Sequence, residues 1–485
     1  MSFRKKIEEA PLAITFNDLV LLPGYTEVEP SQVDVRGRFS RNIDLNIPFV
    51  SSPMDTVTES EMAIALALQG GIGVLHRNCT REEEVEMAKK VKRAASFIIK
   101  DVRTIHPNES VLKAKEIMEK YGIHGLPVVN EDNELVGIVT WRDIRYLEKN
   151  VKVADIMSGK DKLVTADENI EISEAVNILQ KHKIEKLPII DSKGKLKGLI
   201  TIKDIEMSKK FPNALRDEDG RLKVAAAISP FDTRRAKELE DYVDALVIDV
   251  AHFHNSEVMK ATKKIVNEVS VDVVVGNIAT YEAVEDVLHY IEEVDGFRVG
   301  IGSGSICTTS VITKVSGPTL FGVANVADAI RDLKVHLPII ADGGVKTPGD
   351  AALALSLGAS SVMMGNIFAG CKESPGRLVS IGGTFYKEYW GMGSARAREK
   401  RMVLDRYSKP SKDITEGIAG LVPYRGTVET VVKQFVAGLK ASMGYVGARN
   451  IEELWRKAKL AKVSPLGLNE IKPHSIISNQ NKTYF

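Results

Sequence analysis

The stretch GIGSGSICTT at residues 300–309 combines several groups that could do chemistry. Its three glycines allow backbone N–H and carbonyl groups to approach a ligand closely. Ser305 can donate a hydrogen bond to an anion, and the hydroxyls of Thr308 and Thr309 follow Cys307 directly. Backbone and hydroxyl donors near a thiol favour the thiolate, which makes Cys307 a candidate nucleophile. The alternative is a small buried hydrophobic side chain, the usual role of a free cysteine.

Two further glycine loops, Asp342-Gly343-Gly344 and Gly365-Asn366, each follow a short apolar run. In barrel enzymes, the loops after the last two strands commonly bind phosphate through backbone N–H groups. A carboxylate such as Asp342 can accept hydrogen bonds from both hydroxyls of a ribose. These loops favour a phosphate site beside a ribose site, although Asp-Gly-Gly is also a common turn sequence.

The other candidate groups carry weaker signals. His252 and His254 could bind a metal from one strand face, but no third ligand lies at a useful spacing. The basic cluster at 396–409 is either a solvated helix face or a mobile loop with functional arginines. Cys79 and Cys371 lack a comparable setting and are expected to be buried hydrophobic residues.

Short β-branched runs alternate with helical stretches through most of the chain. Strand–helix alternation predicts a parallel sheet covered by helices, and at least six such units favour a (β/α)8 TIM barrel. The active site of that fold lies at the C-terminal ends of the strands. The runs are 47–53, 71–76, 245–252, 272–279, 296–305, 337–344 and 360–366. The helical stretches include Ser60–Gln69, Tyr281–Ile291 and 348–357. The strand ends carry Ser52, Asp249, Asn277, the 300–309 loop, Asp342 and Gly365.

An internal repeat interrupts this pattern, since residues 125–144 recur at 186–205 with an offset of 61 residues. Each copy contains an amphipathic helix, a strand, a polar turn, a second strand and a helix start. The copies, at about 95–149 and 153–209, predict one compact module inserted after the second βα unit. The barrel is then formed by residues 1–94 and 210–485, with residues 370–440 as a long loop system.

Four residues of the repeat could bind a nucleotide. Thr140, Asp143, Thr201 and Asp204 recur at the same offset after a strand. Hydroxyl and carboxylate groups there suit the phosphate and ribose of a purine nucleotide. Capping of the following helix is the alternative, because Thr and Asp are frequent N-caps.

The composition of the 485 residues excludes several classes of protein. Lys and Arg number 66 against 65 Asp and Glu, which argues against a general nucleic-acid or membrane-surface binder. The three cysteines form no CxxC pair, so a zinc ribbon or disulfide framework is excluded. The longest nearly apolar stretch, 62–75, is shorter than the about 20 residues of a membrane span, and the N-terminus lacks a signal peptide. We therefore expect a cytoplasmic protein.

Several motifs, in order along nearly the whole chain, resemble those of inosine monophosphate (IMP) dehydrogenases, and the inserted repeat is similar to the paired CBS repeats that this family carries. The matching motifs are ITFNDLVLLPGYTEV at 14–28, VSSPMDTVTESEMAIALALQGGIGVLHRNCT at 50–80, RVGIGSGSICTT at 298–309, IADGGVKTPGDAALALSLGASSVMMGN at 340–366, YKEYWGMGSARA at 386–397, DRY at 405–407 and EGIAGLVPYRGTV at 416–428.

The resemblance implies an enzyme that oxidises IMP to xanthosine monophosphate (XMP) with NAD. Cys307 would attack C2 of the purine, hydride would pass to NAD, and water activated by Arg406 with Tyr407 and Thr309 would hydrolyse the thioimidate. It also implies a homotetramer, with an octamer left open, and purine nucleotides at the CBS module. The residues that the resemblance implies for IMP binding are Ser52, Met54, Arg298, Ser305, Asp342, Gly343, Gly344, Gly365, Asn366, Tyr389, Gly391, Met392, Gly393 and Glu416. Those for NAD binding are Asp249, Asn277, Gly300 and Gly302. Those for a potassium ion are Gly302, Gly304, Cys307 and Glu470.

The sequence departs from the family pattern at Ser310, at Asn366, and in the segments 249–255 and 315–323. One alternative is guanosine monophosphate (GMP) reductase, which shares the barrel and the loop at 300–309, called the cysteine loop below, but uses NADPH. The DRY motif at 405–407 favours the dehydrogenase, since the reductase needs no water-activating arginine. The second alternative is a nucleotide sensor with an inactive barrel, against which the intact cysteine loop argues.

Overall fold

The computed structural model describes residues 3–94, 99, 102–147, 151–168, 170–399 and 415–473. The chain divides into two compact units. The first comprises Met1–Lys92, Asn213–Leu215 and Lys223–Phe485, and the second comprises Arg93–Pro212 and Arg216–Leu222.

Eight parallel strands of the first unit close into a barrel, and their order around the barrel is their order along the chain. The predicted (β/α)8 barrel is confirmed. Alternate inward-facing side chains, among them Ala227, Val247 and Ile340, fill its interior. The strands are β1 Phe49–Ser51, β2 Ile72–Leu75, β3 Ala225–Ile228, β4 Ala245–Asp249, β5 Asp272–Ile278, β6 Gly296–Val299, β7 Ile339–Asp342 and β8 Ser361–Met364.

Helices follow the strands and begin at recognisable caps. The Thr347 hydroxyl accepts a hydrogen bond from Asp350 N while the Asp350 carboxylate accepts one from Thr347 N, and Pro348 occupies the first turn. The side chains of Asn255, Thr280 and Thr427 cap three other helices by accepting hydrogen bonds from backbone N–H groups of the first turn. The long helices of this unit are Ser60–Gln69, Arg81–Arg93, Thr233–Leu239, Ser256–Glu268, Tyr281–Ile291, Thr319–Asp332, Pro348–Ser356 and Val428–Val446.

The region 370–440 contains more regular structure than expected. Its described residues form an antiparallel sheet of three strands, Leu378–Ile381, Thr384–Trp390 and Ala419–Pro423, before the helix Val428–Val446. The expectation of a loop system is therefore wrong for these residues. The alternation in TFYKEYW, with Lys387 and Tyr389 buried on one face, was the available strand signal.

Short elements complete the first unit. Leu19–Leu22 pairs with Lys459–Lys462, and Gly37–Ser40 pairs with Ile43–Leu45. The short helices are Phe3–Glu8, Phe16–Asp18, Pro30–Gln32, Thr309–Thr313, Asn366–Ala369, Ala395–Glu399, Ile451–Lys457 and Pro465–Glu470.

The second unit consists of the two sequence repeats. Each copy buries its own apolar cluster, and the equivalent residues Leu126 and Leu187 are both fully buried. The copies meet through a third cluster that includes Val129, Leu135 and Leu196. The elements are Val111–Tyr121, Gly125–Val129, Leu135–Thr140, Trp141–Ile144, Val153–Asp155, Ser158–Gly159 and Lys160–Lys162, then Ala166–Asp167, Ile172–His182, Lys186–Ile190, Leu196–Thr201 and Ile202–Lys210.

Among the described residues, no helix combines the length and apolar character that crossing a membrane requires.

Candidate active site

A cavity of about 1010 Å³ opens at the C-terminal ends of the barrel strands. This volume is at the upper end for small-molecule sites, so the cavity has room for more than a mononucleotide. The structure brings together in its lining Ser52, Met54, Asp249, Asn277, Arg298, Gly300, Gly302, Gly304, Ser305, Cys307, Thr309, Asp342, Gly343, Gly344, Gly365, Asn366, Tyr389, Gly391, Met392, Gly393 and Glu416.

The half-buried Cys307 begins a short relay of hydrogen bonds. Its thiol donates to Thr309 Oγ1 at 3.2 Å, and the Thr309 hydroxyl donates to Glu416 Oε2 at 3.0 Å. Ile418 N donates to Ile306 O at 3.0 Å, which holds the segment after Glu416 against the cysteine loop. The relay gives the thiol proton a route toward a buried carboxylate, as activation of a nucleophile requires.

Arg298 lies buried between two carboxylates. Its Nη1 donates to Asp249 Oδ1 and its Nε donates to Asp342 Oδ2, both at 2.8 Å. Burial lowers the pKa of Arg298, but the adjacent Asp342 and Asp249 outweigh burial and raise it. Asn277 Nδ2 donates to Asp342 Oδ2 at 2.9 Å and to Gly300 O at 2.7 Å. Asp342 Oδ2 thus accepts hydrogen bonds from both Arg298 and Asn277, and these bonds hold the carboxylate at the edge of the cavity.

Glycine loops form another part of the cavity wall. Gly343 and Gly344 have φ of 91° and 81°, a conformation that favours glycine. A side chain at Gly365 would place its Cβ 2.7 Å from Tyr389 Oη. Burial raises the pKa of Tyr389, so its phenol stays protonated and able to donate. With the Asn366 amide 3.2 Å from Ser305 Oγ, these loops form a neutral cradle rich in donors.

Some candidates do not meet at this cavity. Arg406 and Tyr407 lie outside the described residues. Glu470 is exposed at the end of the helix Pro465–Glu470 and does not line the cavity. His252 and His254 follow β4 rather than lying on its face, and His254 Nε2 is 2.7 Å from an Asp286 oxygen. The described residues contain no group of three His, Cys, Asp or Glu suited to a metal.

The other two cysteines are buried, as expected. Burial raises the pKa of Cys79 to about 12 and also raises the pKa of Cys371. Both thiols therefore remain protonated and unreactive.

Residue types alone did not indicate several groups at the cavity. Thr319 Oγ1 lies 2.7 Å from Ser303 Oγ and donates to Asp342 O at 2.9 Å, so it fastens the cysteine loop to the end of β7. Phe16 packs beside Gly344. A lone threonine carries no motif signal, and Phe16 lies within the motif at 14–28 without any sign of its partner. Both contacts arise only in the folded barrel.

An eight-stranded parallel barrel with a half-buried cysteine and several glycine loops in a cavity at its strand ends belongs to the class of (β/α)8-barrel enzymes. Residues 13–474 match the family model described as IMP dehydrogenase / GMP reductase domain, and the chain belongs to that family.

Relatives over nearly the full length support this assignment. The inosine-5'-monophosphate dehydrogenase of Korarchaeum cryptofilum is 55% identical over 97% of this chain and 98% of its own. The enzyme of the same name from Thermoplasma acidophilum is 49% identical, over 98% of this chain and 96% of its own. A solved structure of a GMP reductase variant from Trypanosoma brucei with guanosine 5'-monophosphate is similar, with a TM-score of 0.88, 34% identity, and coverage of 97% of this chain and 100% of its own.

Proposed function

We propose that the chain is an NAD-dependent IMP dehydrogenase that oxidises IMP to XMP through a covalent intermediate on Cys307. The observation that carries the proposal is the relay from Cys307 through Thr309 to Glu416, which lies in the same cavity as the glycine cradle. A relative of this name that is 55% identical over nearly the full length supports the same reaction.

The geometry supports the first half of the reaction directly. The phosphate of IMP would occupy the neutral cradle of Ser305, Gly344 and Gly365, and the ribose hydroxyls would donate to Asp342. Cys307 Sγ forms a bond to C2 of the purine, and hydride leaves C2 for NAD. The thiol proton moves toward Thr309 and Glu416, and the product is a thioimidate on sulfur.

The residues present fit a dinucleotide beside the purine. The cavity volume exceeds the need of IMP alone, and Asp249, Asn277, Gly300 and Gly302 line the side next to the cysteine loop. When bound there, NAD would accept the hydride. These residues would orient the ribose of NAD and exclude water until hydride has left C2.

The cysteine loop also fits a monovalent cation. The carbonyls of Gly302 and Gly304 accept single hydrogen bonds, from Ser310 Oγ at 3.2 Å and from Cys307 N at 3.0 Å, and each keeps a second lone pair. With the Cys307 carbonyl they would hold a potassium ion, an oxygen-ligand site that stiffens the loop. Glu470, the fourth residue implied for the potassium ion, would have to reach the ion from another subunit. We propose a homotetramer, with an octamer as the alternative.

Hydrolysis completes the cycle. Water adds to C2, sulfur leaves, and XMP is released. We assign activation of that water to Arg406, with Tyr407 and Thr309. A guanidinium is a poor base at neutral pH, so Arg406 would act as a base only when it is removed from water.

The test is NADH formation from IMP and NAD, followed by stopped flow with Arg406→Ala. The variant should show a rapid burst of about one NADH per active site and then a very slow steady state, because hydride transfer is spared and hydrolysis is not. Intact-protein mass spectrometry should find the nucleotide on Cys307. Steady turnover near that of the unmodified protein would remove Arg406 from the mechanism.

GMP reductase is the second candidate, because the Trypanosoma brucei structure covers nearly the whole chain. In that case IMP and NAD give no burst, and GMP supports NADPH oxidation instead. The two outcomes exclude each other in a single assay series.

We further propose that the inserted unit binds purine nucleotides and that the protein is cytoplasmic. In the first repeat, Asp143 Oδ2 accepts hydrogen bonds from Thr140 N at 2.8 Å and Thr140 Oγ1 at 2.7 Å, so these residues do cap a helix. The proposal requires the other Asp143 oxygen to face a ribose. Isothermal titration with ATP and GTP, before and after Asp143→Asn, tests it, and unchanged affinity would leave only the capping role.

A further inference from the structure

The loop after β2 carries a buried arginine that touches the candidate site from outside the cavity. Arg77 is 4% exposed and is not part of the cavity lining. Its Nη2 donates to Asp249 O at 3.0 Å, and its Nε lies 3.6 Å from Asp249 Oδ2. Asp249 therefore connects Arg77 to the candidate site.

Arg77 places a second guanidinium beside the carboxylates that flank Arg298. Asp249 and Asp342 carry two negative charges and share the single guanidinium of Arg298. Arg77 contributes the second positive charge. Without it, a buried carboxylate would be left without full compensation, which is costly in the interior. Asp249 would then compete with Asp342 for hydrogen bonds from the guanidinium group of Arg298.

Contacts with neighbouring elements hold the loop that carries Arg77. Arg235, from the helix Thr233–Leu239, donates to Arg77 O at 3.3 Å and to Cys79 O at 2.9 Å. Arg235 is itself paired with the fully buried carboxylate of Glu84. Asn78 Nδ2 donates to Asp55 Oδ2 at 2.8 Å on the other side of the loop. These contacts hold the backbone of the loop from which the Arg77 side chain extends, and such support is what precise positioning requires.

We propose that Arg77 is a positioning residue, which acts through Asp249 to hold Arg298 and Asp342 in the geometry that binds the riboses. The inference rests on the proposed function, which assigns those riboses to IMP and NAD. Arg77 touches neither ligand. Its removal should therefore lower the rate of hydride transfer without removing the phosphate contacts.

The experiment measures the NADH burst rate and the KM for IMP and NAD for Arg77→Gln, Asp249→Asn and the double variant. Arg77→Gln should slow the burst at least about tenfold, since small misplacements of orienting groups are expensive. The double variant should match Asp249→Asn within about twofold, because two residues acting through one contact are not additive. Arg234→Gln is the matched control, since that arginine lies in an exposed pair with Glu238.

The remaining outcomes overturn the inference. An Arg77→Gln protein as fast as the unmodified one, or losses that multiply in the double variant, would show that Arg77 does not act through Asp249. If Arg77→Gln does not fold, Arg77→Lys replaces it, and its defect must disappear in the Asp249→Asn background. Failure of the unmodified protein to form NADH would instead reject the proposed function.

Discussion

The three cysteines of the chain occupy two kinds of environment, and the environment decides what each thiol can do. Cys307 is half-buried, lines the cavity and donates to a hydroxyl that leads to a carboxylate. Cys79 and Cys371 are buried and donate only to backbone carbonyls, of His76 and Ile367. Reactivity at the residue scale therefore follows from exposure and from the groups that receive the proton.

This difference predicts selective alkylation. Burial raises the pKa of Cys79 to about 12, so between pH 7 and 9 its thiol stays protonated, and Cys371 behaves in the same way. Iodoacetamide should modify Cys307 alone over that range, and IMP should protect it. Peptide mass spectrometry measures the three sites, with urea-unfolded protein as the control in which all three react. Modification of Cys79 in the folded protein would contradict this prediction.

Removal of the nucleophile should separate binding from chemistry. Cys307→Ala should lower kcat by at least about a thousandfold, since no other group can form the bond to C2. IMP affinity should change little, because the cradle of Gly344 and Gly365 and the carboxylate of Asp342 remain. Calorimetric titration with IMP and an NADH assay measure the two effects. Turnover within about tenfold of the unmodified protein would reject the covalent mechanism.

Glycine loops position the site at the scale of the element. Gly300 has φ of 131°, and a Cβ there would lie 2.3 Å from the carbonyl oxygen of Asp342. Gly300→Ala should therefore push the cysteine loop away from the end of β7, at a cost of about 1–3 kcal/mol in unfolding free energy. Burst rate and IMP affinity should both fall.

The control for Gly300→Ala is Gly349→Ala, in the first turn of the helix Pro348–Ser356. There the nearest neighbour of an added Cβ is 3.6 Å away, an ordinary contact. Thermal unfolding and stopped-flow assays should leave Gly349→Ala close to the unmodified protein. Equal effects of the two substitutions would show that close packing of the cysteine loop does not cause the losses of stability, burst rate and IMP affinity in Gly300→Ala.

Patterns within one segment predicted most elements, and contacts between distant segments account for the rest. Seven barrel strands lie within the short runs identified in the sequence, but β3, Ala225–Ile228, reads AAAI and was not among them. It becomes a strand because it pairs with β2 and β4. Cys307 and its glycines were visible in the sequence. Arg77 lies within the motif at 50–80, but its contact with Asp249 was not visible, because the two residues lie 172 positions apart.

At the scale of the whole molecule, chemistry and the inserted repeats belong to different units. Every strand of the barrel and every residue that lines the cavity lies in the first unit. The second unit buries its own apolar clusters, which is the mark of a part that can fold by itself. The inserted unit is therefore expected to modulate the reaction rather than perform it.

Deletion of the insert tests this division. Residues 95–209 replaced by a short Gly-Ser linker should leave a folded barrel, since closing such a loop costs little and no strand of the barrel is lost. The kcat for NADH formation should stay within about threefold of the full chain, because all groups that touch IMP remain. Any response of activity to added ATP or GTP should disappear. The same deletion carrying Cys307→Ala is the control that ties residual activity to the barrel site. A shortened chain that melts cooperatively, binds IMP and yet forms no NADH would show that the insert takes part in catalysis.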